Sequence, residues 1–437
     1  MAIPIERAHV TPSRQGAPRL QDRNLVPLAP VPFNDLDCPV CGAHTPDVDR
    51  VRFIGLQVIA DQRCASCGTA FVRDMPIGFQ CEHPLAYTPD DRRILTPESE
   101  PWIGYPQYAE VSREEVRFER RVFREHRKVI ILNTLDHLYG HVLLKLFNAQ
   151  EYLDRYPDHG LIIITQPVFG WMIPKGVAEV WYAHVRLGRT RAWHAGLDTF
   201  VQEQLPRYEE VHLARCWPHP DTFRLDIGRF TGEAPFPLAE FTTRPPHITF
   251  IAREDRLWFP SPLMKFLFRA LNPLGLRKAL GRLWVGRQTA MVREAMRRIR
   301  AAVPDATFSV VGLSRPGGFD GAVEDLRSTR MTDELERAWC KAYAKSHVVV
   351  GVHGSNMLLP TAHAIGMVEI LPHDRHGNIV QDVTVRWKDR MQLFLYRFVD
   401  EFAPPAIVAD HVVRMIQDLP QHRDNYCVNI FDPAERP

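Results

Sequence analysis

An α/β protein with two mostly parallel blocks behind a small four-cysteine unit is the architecture this sequence predicts, and three observations carry it. Short β-branched runs alternate with helical patterns over about 113–410. Alternation of that kind builds parallel sheets covered on both faces. Four of the eight cysteines fall in two C-x-x-C pairs near the front of the chain. The 437 residues, 45% of them hydrophobic and 24% charged, suffice for two or three domains with cores of their own.

The cysteine unit comes first. Cys38-Pro-Val-Cys41-Gly42 is followed by Cys64-Ala-Ser-Cys67-Gly68, with a 22-residue spacer between Cys41 and Cys64. Each pair can put two thiolates on one ion from a tight turn, and the glycine lets the backbone turn beneath it. The spacer holds the strand-like VRFIGLQVI, so a zinc ribbon is expected over 33–83. Four sulfurs leave no open position, which makes the expected Zn2+ structural, with redox or iron–sulfur use the rival reading. Cys81, Cys216, Cys340 and Cys427 read as buried or incidental. An extended arm over 1–32 precedes this unit, and a proline-rich linker over 84–112 follows it.

Two blocks follow, 113–240 and 241–410, with a C-terminal return segment over 411–437. Lys128–Asn133, Leu161–Thr165 and Glu210–Ala214 read as strands of the first block. His247–Ala252, Phe308–Leu313, Val348–Gly351 and Val368–Leu371 read as strands of the second. Helices are expected near 140–152, 287–302, 333–346 and 355–365. A last one near 407–419 is expected to pack back onto the first block.

Chemistry gathers at strand ends, where open α/β sheets bind ligands. In Val350-Gly-Val-His353-Gly354-Ser355-Asn356, a buried strand runs into small residues and a helix start that could hold an anion, ideally a diphosphate. The plain alternative has Ser355 capping the helix and Gly354 turning the chain. Glu369, at the next strand end, can accept from ribose hydroxyls or from a local partner. Ser314-Arg315 ends another strand, and Arg315 offers a forked donor to phosphate oxygens or to a surface acid. In the first block, Asp136, His137 and His141 surround a helix start and can supply a general base, or caps and core hydrogen bonds.

Net charge is only +2, so charge gives no general argument for nucleic acid. Ser261 to Arg300, however, carries ten Lys or Arg residues against Glu294 alone, interleaved with apolar residues such as Leu267 and Trp284. That segment reads either as a solvated basic helix or as a peripheral contact for membrane or anionic lipid. No run of about twenty apolar residues and no signal-peptide pattern is found, which sets a cytoplasmic expectation, extended to the inner face of the membrane.

Three passages together resemble glycosyltransferase family 61, the group of O-linked N-acetylglucosaminyltransferases and plant xylosyltransferases. They are LDHLYGHVLLKLFN (135–148), FSVVGLSRP (308–316) and AKSHVVVGVHGSNMLLPTAHAIGMVEILP (344–372). The resemblance spans roughly 125–400, and the last passage is its most specific part. It implies a GT-B-like pair of Rossmann-like domains, with 113–240 on the acceptor side and 241–410 on the nucleotide-sugar side. It also implies inverting transfer from a nucleotide diphosphate sugar to a hydroxyl. The donor would lie near Ser314, Arg315, His353, Gly354, Ser355, Asn356 and Glu369, with His141 or Asp136 as catalytic base. Lys145 stands where the family often has an acid, and the zinc ribbon is an addition to its usual layout. Other readings are a catalytically silent partner-binding scaffold and, more remotely, a zinc-ribbon nucleic-acid binder.

Overall fold

A computed structural model of the chain describes residues 22–32, 36–44, 47–96, 111–270, 281–387 and 389–426. Most of the predicted arm, the middle of the linker, Arg277, Lys278 and Cys427 lie outside the described residues. Two compact units form. The first takes the described residues up to His137 with Glu151–Gln166 and Val177–Pro218; the second takes Leu138–Gln150, Pro167–Gly176 and the described residues from His219 onward. The expected division at 240/241 lies inside the second unit, and the two units interleave. The helix Tyr139–Arg155 belongs to the second unit through Gln150 and to the first from Glu151.

The first unit holds two sheets. Strands β1 (Leu25–Ala29), β6 (Phe118–Val122), β7 (Lys128–Asn133), β8 (Gly160–Thr165), β9 (Glu179–Ala183) and β10 (Glu210–Ala214) form one of them, in the order β1-β10-β7-β8-β9-β6. Its four middle strands are parallel, and β1 and β6 add antiparallel edges. Sequence explains the division. GLIIIT is buried throughout and KVIILN at all but its lysine, as strands covered on both faces must be. β1 contains Pro27, and β6 (FERRV) is charged and partly exposed, both features of edge strands.

The second sheet of this unit is the antiparallel β2 (Asp47–Phe53), β3 (Val58–Arg63), β4 (Ala70–Asp74) and β5 (Ala86–Tyr87). It is moored to the rest of the unit by polar bonds. Asp198 accepts from the Phe53 amide at 3.0 Å and takes the Arg50 guanidinium at 2.5 Å. Asn133, the last residue of β7, donates to the Gly55 carbonyl at 3.0 Å. The β2–β3 turn therefore sits over the carboxyl end of β7.

In the second unit all strands are parallel: β11 (His247–Ile251), β12 (Thr307–Val311), β13 (Val323–Asp325), β14 (Val348–Val352), β15 (Gly366–Leu371) and β16 (Tyr396–Asp400). The order β13-β12-β11-β14-β15-β16 grows one way from β11 and then reverses, so the reversal falls between β11 and β14. Helix Asp333–Ala344 shows local causes of its start. Thr332 accepts the Leu335 amide, and Asp333, Glu334 and Glu336 occupy the positive first turn.

Two helical expectations are corrected. The closing helix Pro405–Tyr426 packs within the second unit: it lies along Gly281–Ala302, where Gln417 donates to the Ala302 carbonyl at 3.2 Å. The helix expected over 355–365 is a 3-10 turn, Ser355–Met357, leading into the six-residue Leu358–His363.

Candidate functional site

The four predicted ligands meet. Cys38, Cys41, Cys64 and Cys67 bring their sulfurs within 4.8 Å of one another, with Cys38–Cys67 at 3.8 Å and Cys41–Cys64 at 3.6 Å. Sulfurs around one tetrahedral zinc stand about 3.8 Å apart for bonds of about 2.3 Å, so the cluster can chelate a metal ion. Matching turns build it. The Gly42 amide donates to the Cys38 carbonyl at 2.9 Å and the Gly68 amide to Cys64 at 2.8 Å, with both glycines at φ near +70°. Cys38 and Cys64 are buried with Phe71 and Ala86, whereas Cys41 and Cys67 face outward. Of the other described cysteines, Cys216 and Cys340 are buried, and Cys81 donates to the Pro76 and Cys216 carbonyls.

The second unit assembles a polar cluster at the carboxyl ends of β11, β14 and β15. His353 and Glu369 are wholly buried and hydrogen-bonded through Nδ1 and Oε1. The His353 Nε2 has no hydrogen-bond partner and lies 3.5 Å from an Asp382 oxygen. Arg256, from the loop after β11, donates to the His353 carbonyl at 2.6 Å. Gly354 makes that approach possible: at φ +144° a Cβ would lie 1.9 Å from the Arg256 guanidinium. Arg256 and Asp382 went unnoticed in the sequence, since neither sits in a local motif. Only the strand order brings the β11 loop beside the β14 turn.

Several site residues take places other than those expected. Glu369 has the local partner and is closed to solvent, so it does not stand ready for a ribose. The His353 ring is likewise enclosed and acts on its surroundings through the turn it holds. Gly354, and not Ser355, takes the N-cap position of the turn, so no side chain caps it. The helix behind it is too short to gather much dipole, which moves the positive charge of this site onto arginines. Asn356 folds back, donating to the Val352 carbonyl at 3.1 Å. Ser314 is buried. Arg315 is partly exposed; its amide donates to Glu254 at 2.9 Å, and Glu254 lies 3.6 Å from the guanidinium.

His141 lies on the helix portion belonging to the second unit, where its ring meets that of His219 edge-on at 6.5 Å. Gly140 fits closely there: a Cβ would stand 2.3 Å from that of Ser355. Asp136 belongs to the first unit, buried, accepting from the His137 amide at 2.8 Å. Beside Gly140, Tyr139 donates to Glu336, which also takes the Trp171 indole N–H at 3.1 Å.

Burial pushes the Glu336 carboxyl up to about 7, outweighing the two donated hydrogen bonds that lower it. The folded chain thus holds this proton more tightly than an unfolded one, whose glutamate titrates near 4.5. The contribution is complete below about pH 4.5 and is lost as pH rises through about 7, an effect of about 3 kcal/mol. Denaturant unfolding at pH 5 and pH 8 is expected to show that loss, and Glu336→Gln to remove most of it. An unchanged pH slope in the variant contradicts the assignment.

In the basic segment, Lys265 pairs with Glu401, and Arg297 and Arg298 with Glu294 at 2.7 and 2.6 Å. Leu263, Phe266 and Leu283 are exposed. Among the described residues, no helix is long and apolar enough to cross a membrane. The chain matches no known family and no curated protein.

Proposed function

We propose that the chain is an inverting glycosyltransferase, built as a GT-B-like pair of Rossmann-like domains with a structural zinc ion in the four-cysteine unit. It would take a nucleotide diphosphate sugar and transfer the sugar to a hydroxyl of a surface glycan, glycolipid or metabolite. The observation that carries this reading is the reversal point of the parallel sheet. There, and at the adjoining β12 end, Arg256, the Gly354–Asn356 turn and the partly exposed Arg315 follow neighbouring strands. Ligands of open α/β sheets bind at such crevices, and guanidinium groups suit a diphosphate that departs with its charge. His353 and Glu369 serve as positioning residues beneath the turn. The three passages resembling family 61 support the transfer chemistry, with His141 as the base for the acceptor hydroxyl and Asp136 its rival.

Calorimetric titration of the metal-loaded protein with nucleotide diphosphates and nucleotide-sugars tests it. Selective binding is expected, weakened about tenfold or more in Arg315→Ala and in Arg256→Ala. No binding across the set by a folded wild-type protein would overturn the proposal and favour the scaffold reading.

A further inference from the structure

The amino ends of the first unit's parallel strands carry a second cluster that the proposed transfer reaction does not use. In-register pairing places Lys128 opposite Glu210, while Gly160 lies opposite Val129, so His159 precedes β8 in the same row. His212 follows Glu210 by two residues and projects from the same face of β10. One Glu210 oxygen stands 3.8 Å from His159 Nε2 and 3.7 Å from His212 Nε2. Its other oxygen takes the Lys128 ammonium at 2.7 Å.

These separations are too long for hydrogen bonds. They approach the spacing of neighbouring ligands on one ion, about 3.0–3.6 Å for bonds of about 2.1 Å. The three ligand atoms lie within 4.8 Å of one another. His159 Nε2, one of the atoms facing that oxygen, is buried with no hydrogen-bond partner. Two half-buried imidazoles thus point at one carboxylate oxygen without bonding it.

We propose that His159, Glu210 and His212 form a second metal site, for a divalent ion of the zinc class, at the amino ends of β8 and β10. Two imidazoles and a carboxylate are a borderline-soft donor set that suits such ions and leaves a coordination position open. Lys128 competes for the carboxylate through its far oxygen. Its charge also weakens cation binding, so the site is the weaker of the two. It lies at the strand ends opposite those at which open α/β sheets bind ligands. Its role is to fasten the start of β8 to β10.

Full-length protein carrying one equivalent of zinc is titrated with Co2+ and followed by visible absorption. One further equivalent is expected, with d–d bands and no thiolate charge-transfer band. His159→Ala and His212→Ala are expected to lose it, and Lys128→Met to tighten it several-fold. That gain is one a misfolded variant would not give. A wild-type protein that takes up no further equivalent, or one whose uptake brings the thiolate band, overturns the proposal. So do folded histidine variants that still bind the second equivalent.

Discussion

Chelating the metal, or replacing Cys38 or Cys64 with serine, is expected to unfold the β2–β5 sheet. The sulfurs anchor one of its two apolar clusters; the other is Ile54, Ile59, Val72 and Tyr87, with Trp193 against it. Its strands have two to seven residues, and the cluster around the sulfurs is Cys38, Cys64, Phe71 and Ala86, with Ala43 and Leu95 at its edge. Two clusters of that size offset only part of the chain entropy of the segment. Structural zinc supplies about 10–16 kcal/mol in comparable small units. The buried pair should matter most, since serine there removes a ligand and leaves a hydroxyl in an apolar cluster. Backbone exchange is the measurement. Amides of β3 and β4 should lose protection after chelation, while those of β7 and β8 keep theirs. Anchors from Asp198 to Phe53 and from Asn133 to Gly55 should loosen with the sheet. Freshly purified protein without a bound equivalent of metal, or β3 and β4 indifferent to chelation, contradicts the assignment.

Local signals were legible in the sequence and long-range ones were not. KVIILN and EVHLA became β7 and β10 at the predicted residues, because apolar β-branched runs are buried wherever the sheet puts them. The two C-x-x-C-G turns were legible for the same reason: each closes its own hydrogen bonds within six residues. β6 and β16 escaped notice, since FERRV and YRFVD are partly exposed edge strands that earn their place from one neighbour. Most of the candidate site was of the second kind. His353 and Glu369 were singled out, but their pairing needs β14 beside β15. Arg256 needs β11 on the other side of β14, and Asp382 comes from a loop with no strand of its own. The interleaving of the two units was equally hidden, since it depends on which surface receives the start of the helix at Tyr139.

Replacing Glu369 with alanine is expected to cost about 3 kcal/mol of stability, and with glutamine less than half of that. Burial pushes the Glu369 carboxyl well above the usual carboxylate range, with Asp382 adding to the rise and Arg256 opposing it. It lowers His353 at the same time, while Asp382 works the other way. Both groups are therefore held toward their neutral forms, with the acid proton on the Glu369 side of the bond to Nδ1. That leaves the imidazole N–H on Nε2, facing Asp382. Alanine deletes the donor and strands a buried ring nitrogen; a glutamine amide can still donate to Nδ1. Arg256 grips the carbonyl of the same histidine, so a loosened ring should also disturb the Gly354 turn. Nucleotide affinity should then fall with stability in Glu369→Ala and survive in Glu369→Gln. Denaturant unfolding read beside calorimetry separates the two effects. If Glu369→Ala unfolds within about 1 kcal/mol of the wild type, the buried pair does not hold the turn, since an orphaned buried polar group costs at least that much.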